Sequence, residues 1–166
     1  RSMATKEEKQ FLYSLMVMGG SALTIADQYD TIGDAVEIYQ NREMIELNDL
    51  GFVGRPLSRR LSSGNSSRWV GQLPDGDYIV GLFNREEDTI QSGIDFFKEL
   101  GIKEGAVENV RDLWQHQDLG EMCEKYTTAL APHSCKILRI RPKGSKRYQA
   151  EFASPKGGVT TNIANE

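Results

Sequence analysis

Asp27 and Gln28 directly follow a short apolar run, Ala22-Leu23-Thr24-Ile25-Ala26. Glycine and polar residues bound the run, and its length and β-branched content suit a buried parallel strand. In a barrel of parallel strands, residues at a strand's C-terminal end face the active site. A carboxylate and an amide there can hydrogen-bond the hydroxyls of a sugar. Asp27 and Asp30 suit helix capping or a turn equally well. Cleaving a glycosidic bond takes two carboxylates flanking it, roughly 5–10 Å apart. One barrel strand cannot supply both, and the strand-rich remainder offers no second candidate. No catalytic residue is expected in this chain.

Other reactive types carry less. His116 and His133 are the only histidines, and each falls in an expected loop with no nucleophile beside it. Gly19-Gly20-Ser21 lacks the further glycine and lysine of a phosphate loop. Cys123 and Cys135 flank a turn at Ala131-Pro132-His133. Centring a hairpin on Pro132 sets Cys135 opposite Ala129, which favours two buried free thiols over a disulfide. Trp69, Trp114, Tyr78 and Phe83 can stack on pyranose rings, although at strand spacing such residues belong to a core first. No metal or cofactor is expected.

The chain has 166 residues, 39% of them hydrophobic and 27% charged, with a net charge of -4. That composition supports a packed core and excludes wholesale disorder. The acidic balance argues against a nucleic-acid partner. The basic clusters, Arg59-Arg60 and Lys143 to Arg147, sit in polar stretches and read as solvated loops. The longest apolar run, Phe11 to Met18, is too short to span a bilayer, so no membrane partner is expected.

Periodicity then places the elements. Apolar Phe11, Leu12, Leu15 and Met16 fall at helical spacing between Thr5 and Met18. Thr5 with Glu8 forms a capping-box pattern, and Gly19-Gly20 is a stop. After the strand at Ala22 to Ala26, Asp30 and Thr31 can cap a helix through Val36, Ile38 and Tyr39. A further turn or two runs from Glu43 to Asn48. Helix, buried strand, helix is the grammar of an α/β barrel. Beyond Asp49, glycine, proline and serine make a polar connector. Strands are expected at Ser67–Gln72, Asp77–Asn84, Thr89–Phe96, Ala106–Trp114, Glu124–Leu130 and Ser134–Ile140, the last two as a closing hairpin. Short strands at regular spacing argue for an antiparallel sandwich.

Several of these stretches together resemble glycoside hydrolase family 27, the α-galactosidases and their relatives. Ser14 to Ile25, followed by Asn41-Arg42-Glu43-Met44-Ile45-Glu46-Leu47-Asn48, is similar to the family's last barrel unit. Leu73 to Arg85, Val110-Arg111-Asp112-Leu113-Trp114 with Asp118-Leu119-Gly120, and Ala131 to Ser134 resemble its C-terminal sandwich. The resemblance covers roughly residues 10 to 141. Ala22 stands where the family usually has proline, and Asp27-Gln28 where it usually has Asn-Asp or Cys-Asp. The tail Tyr148 to Ala153 is similar to the opening strand of calcium-binding carbohydrate-binding modules. That likeness implies a calcium-ligating role for Glu151 only where such a module is intact.

The resemblance implies a mainly β fold, an antiparallel Greek-key β-sandwich of the C-terminal glycosidase type, preceded by a helix–strand–helix remnant of a (β/α) barrel. The expected divisions are 1–52 for barrel, 53–66 for connector, 67–142 for sandwich, and 143–166 for linker and module start. The implied role is a non-catalytic C-terminal piece whose sandwich supports the barrel of a parent glycosidase, with Asp27 and Gln28 as substrate-binding candidates. Carbohydrate would be met through that parent, which the likeness suggests is a secreted or cell-surface bacterial enzyme. Residues 5–50 could then self-associate. The alternative is a free-standing carbohydrate-binding sandwich.

Overall fold

A computed structural model describes residues 5–20, 36–57 and 67–144. Helix α1 spans Lys6–Met18. Its start is the expected capping box: Glu8 N donates to Thr5 Oγ1 at 3.2 Å, and Thr5 N donates to Glu8 Oε2 at 2.7 Å. It stops at Gly19, and Gly20 takes a positive φ of 71°. The buried stripe is Tyr13, Ser14, Val17 and Met18, whereas Leu12 is exposed. The helix is thus rotated from the face that hydrophobicity alone selects, because Ser14 is turned inward to accept a hydrogen bond. Helix α2 spans Val36–Tyr39, and α3 spans Arg42–Asp49 behind the N-cap Asn41.

The strands are β1 Arg55–Pro56, β2 Arg68–Gln72, β3 Tyr78–Phe83, β4 Ile90–Asp95, β5 Ala106–Asp112, β6 Gln117–Asp118, β7 Met122–Cys123, β8 Lys125–Leu130 and β9 Cys135–Pro142. One seven-stranded sheet runs β1-β2-β3-β9-β5-β6, with β7 also on β5, and a two-stranded sheet pairs β4 with β8. All the pairings are antiparallel. The β2–β3 hairpin turns at Pro74 to Asp77 as its sequence predicts, pairing Gln72 with Tyr78. Within the expected connector, Arg55 and Pro56 pair with Val70 and Trp69, so the sheet begins before Ser67.

The expected closing hairpin does not form. β8 pairs with β4 in the small sheet, and β9 lies between β3 and β5 in the large one. Ala131 to Ser134 is therefore a corner between sheets. Asn84 is fully buried there. Its Nδ2 donates to the carbonyls of Asp88, Leu130 and Ala131 at 2.8–3.0 Å, and its Oδ1 accepts from Glu86 N. A turn sequence alone does not say whether its flanking strands pair with each other or part, and here a side chain 46 positions from Leu130 decides it.

Side chains alternate across a strand, so β3 can serve two cores. Val80 and Leu82 pack with Val110, Leu138, Ile140, Ile94 and Phe96 between the sheets. Ile79 and Phe83 face the other way and pack with Ile137, Leu113, Met18, Met44 and Leu47 beneath the helices. Both faces of the large sheet are thus covered, one by β4 and β8, the other by α1 to α3. Close approach is built in: a methyl group on Gly71 would fall 2.5 Å from the Phe52 ring. Among the described residues no helix is long and apolar enough to cross a membrane.

Candidate functional site

Asp27, Gln28 and Glu151, the residues singled out as sugar and calcium contacts, lie outside the described residues. Arg59, Arg60 and the strand expected at Ala22 to Ala26 lie outside them too. One set of polar groups that the structure brings together sits where the helix layer meets the large sheet. They converge on Arg111 to Trp114, at the end of β5.

Each residue of that segment has its own task. Arg111 Nε donates to Glu43 Oε1 at 2.7 Å, and its Nη1 lies 3.1 Å from Asp118 Oδ1. Asp112 Oδ1 accepts from Trp114 N and Gln115 N, forming the turn that ends the strand, while Oδ2 lies 3.0 Å from Lys136 Nζ. Leu113 is buried beneath α3, and its carbonyl accepts from Asn41 Nδ2 at 3.0 Å. Trp114 Nε1 donates to Ser14 Oγ at 2.7 Å, and its ring meets Tyr13 edge-on.

Asn41 works in two directions. Its Oδ1 accepts from Glu43 N and Met44 N, capping α3, while its Nδ2 reaches the sheet. Glu43, in the first turn, lies between Arg111 and the Nδ1 of His116. Burial pushes its carboxyl up, but the hydrogen bonds and charges of Arg111 and His116 outweigh burial and hold it below the usual carboxylate range. A carboxylate so held is a fixed anion, not a proton donor near neutral pH. The same pairing raises Arg111.

A second network ties the β2–β3 turn to β9. Arg139 donates from Nη2 to Asp75 and from Nε to the fully buried Asp77, at 2.7 and 2.8 Å. His116 and His133 occupy loops at positive φ, as placed from sequence, and contact Glu43 and Glu87 respectively. Both cysteines are free. Cys135 is half-buried, its thiol donating to Ser14 Oγ at 3.4 Å, and desolvation pushes its pKa up to about 12. Cys123, expected inside, is exposed because β7 is a short outer strand beside β5. Trp69 and Trp114 pack against the helix-side core and Phe83 lies within it, the core role expected of them. Among the described residues no group of three or more His, Cys, Asp or Glu is placed to hold a metal ion.

The importance of Ser14, Asn41, Glu43 and Arg111 was not visible in the sequence read locally. Their partners lie 68 to 121 positions away. A serine within an apolar helical stretch was the available signal.

Two packed antiparallel sheets with a helical layer sealing the outer face of the larger one make a β-sandwich of the all-antiparallel class. Residues 63–140 match the family described as the alpha galactosidase C-terminal beta sandwich domain, and the chain carries that domain. Isomalto-dextranase of Arthrobacter globiformis is 44% identical over 172 aligned positions, which are 97% of this chain and 26% of that protein. Alpha-galactosidase 3 of Arabidopsis thaliana is 28% identical, over 84% of this chain and 32% of its own length. The solved A. globiformis enzyme, complexed with panose, superposes with a TM-score of 0.75 at 46% identity, over 84% of this chain and 24% of that one. A family 27 β-L-arabinopyranosidase from Geobacillus stearothermophilus shares the fold at 22% identity, with a TM-score of 0.70 over 84% of this chain and 31% of its own. This chain therefore matches the C-terminal part of α-galactosidase-like glycoside hydrolases and spans about a quarter to a third of the relatives' length.

Proposed function

We propose that this chain is the non-catalytic C-terminal portion of an α-glycoside hydrolase. In this reading α1 to α3 belong to the catalytic (β/α) barrel, and the sandwich holds that end of the barrel in place. The paired carboxylates for bond cleavage come from the barrel's other strands, and Asp27 and Gln28 contact the sugar from the strand end at Ala26.

One observation carries the reading. The two stretches that separately resemble the last barrel unit and the sandwich are bonded to each other, Asn41 to Leu113 and Glu43 to Arg111. A free-standing binding sandwich has no need of a helical layer over one face. Leu12, Leu50 and Val53 remain 57–65% exposed, which suits contact with further barrel elements. In the chain by itself the same surface favours self-association.

The test is an assay of the purified chain on nitrophenyl α-galactoside and α-glucoside, beside the same chain joined to the barrel encoded with it. Turnover is expected only from the joined protein, and Asp27→Ala in it should raise KM. Turnover by the chain alone, surviving Asp27→Ala, would defeat the proposal.

A further inference from the structure

A groove of about 600 Å3 opens at the junction, between the first turns of α1, helix α2 and the turn that carries Trp114 and His116. We propose that it is a carbohydrate-binding subsite for a short neutral oligosaccharide, formed by residues other than Asp27 and Gln28. The inference rests on the reading that the chain belongs to an enzyme acting on glycans, and it adds a second point of contact with them.

Three observations carry it. Its volume falls within the range usual for ligand pockets. One wall is Trp114, half-buried and held still by the bond from Nε1 to Ser14 and by the Tyr13 ring. A ring fixed before binding loses no rotamer freedom when a sugar stacks on it. The polar lining includes Gln10 and Gln40, whose side-chain amides make no hydrogen bond within the described residues. Each amide offers two donors and an acceptor, the combination that hydroxyls require.

The charges select against other ligands. Lys6 is paired with Glu37 at 3.4 Å, and His116 with Glu43, which leaves Arg42 as the lining cation with no counter-ion among the described residues. A single exposed cation is a poor site for phosphate or a polyanion. A second groove, of about 580 Å3 along β4 and β8, also has an amide in Gln91 but offers no exposed aromatic wall. Its Arg68 and Glu99 bond one another at 2.6 Å, and its one aromatic, Tyr126, is buried.

The experiment follows the two tryptophan indole N–H signals of the isotope-labelled chain while panose, and separately raffinose, is added. A saturable shift of the Trp114 signal, with Trp69 unmoved, is expected for at least one of the two sugars. The double variant Gln10→Ala/Gln40→Ala should weaken that binding about tenfold with thermal stability unchanged. No saturable shift with either sugar, an equal shift at Trp69, or undiminished binding by the double variant would overturn the subsite. None of these outcomes bears on whether the chain hydrolyses nitrophenyl glycosides, so the two proposals fail separately.

Discussion

Asn41 donates from Nδ2 to the backbone carbonyl of Leu113, 72 positions away, at 3.0 Å. The same side chain caps α3, so a single amide both starts a helix and fastens it to a sheet. Asn41→Ala removes the cap and strands a buried carbonyl, and should cost about 2–3 kcal/mol. Asn41→Asp keeps an acceptor for the cap but loses the donor to Leu113. It should recover only part of the loss in urea unfolding near neutral pH.

Glu43 gives the junction a pH dependence. Its folded-state pKa lies below the ordinary 4.5, so it binds fewer protons folded than unfolded in that range. Its stabilising contribution is complete above the unfolded value and disappears as pH falls through the folded one. Urea midpoints measured from neutral pH down into the acid range should therefore fall more steeply for the native chain than for Glu43→Gln. Parallel profiles would show that Glu43 contributes nothing to acid sensitivity.

Arg139 compensates the charge of a fully buried carboxylate, with Arg141 the nearest alternative at 3.9 Å. Arg139→Met leaves Asp77 without its close partner and should destabilise the chain by about 3 kcal/mol. Adding Asp77→Asn to that variant should restore part of the loss, because the unpaired charge goes with it. Thermal melts of the two variants beside the native chain provide the check.

The cysteines should differ sharply in reactivity, since the thiolate is the nucleophile. Cys135, with its pKa near 12 and its thiol on Ser14, should resist iodoacetamide in the folded chain. Cys123 is exposed and should be alkylated at once. Mass spectrometry should find one adduct under native conditions and two in denaturant.

Much of this architecture could be read locally. The capping box at Thr5 and Glu8, the turn at Pro74 to Asp77 and the strands around it follow from patterns within a few residues of one another. The relation between elements could not be read that way. β8 and β9 look like a hairpin until Asn84 is seen to hold them to different sheets. The inward turn of Ser14 depends on Trp114, 100 positions on. For the candidate site the limit was similar: the sequence directed attention to Asp27 and Gln28, whereas the junction is assembled from residues whose partners are remote.

The strand Tyr78–Phe83 has no side that was made for water. Ile79, Val80, Leu82 and Phe83 are completely shielded, alternately by helices and by the opposite sheet. A domain limit drawn through the polar, serine-containing stretch around residues 53–66 would divide the polypeptide at a natural-looking seam and yet tear the hydrophobic interior in half. The sandwich expressed by itself would present a greasy plate of Ile79, Phe83, Leu113 and Ile137 to solvent. The interior of this protein reaches beyond the stretch, residues 63–140, that matches the sandwich family.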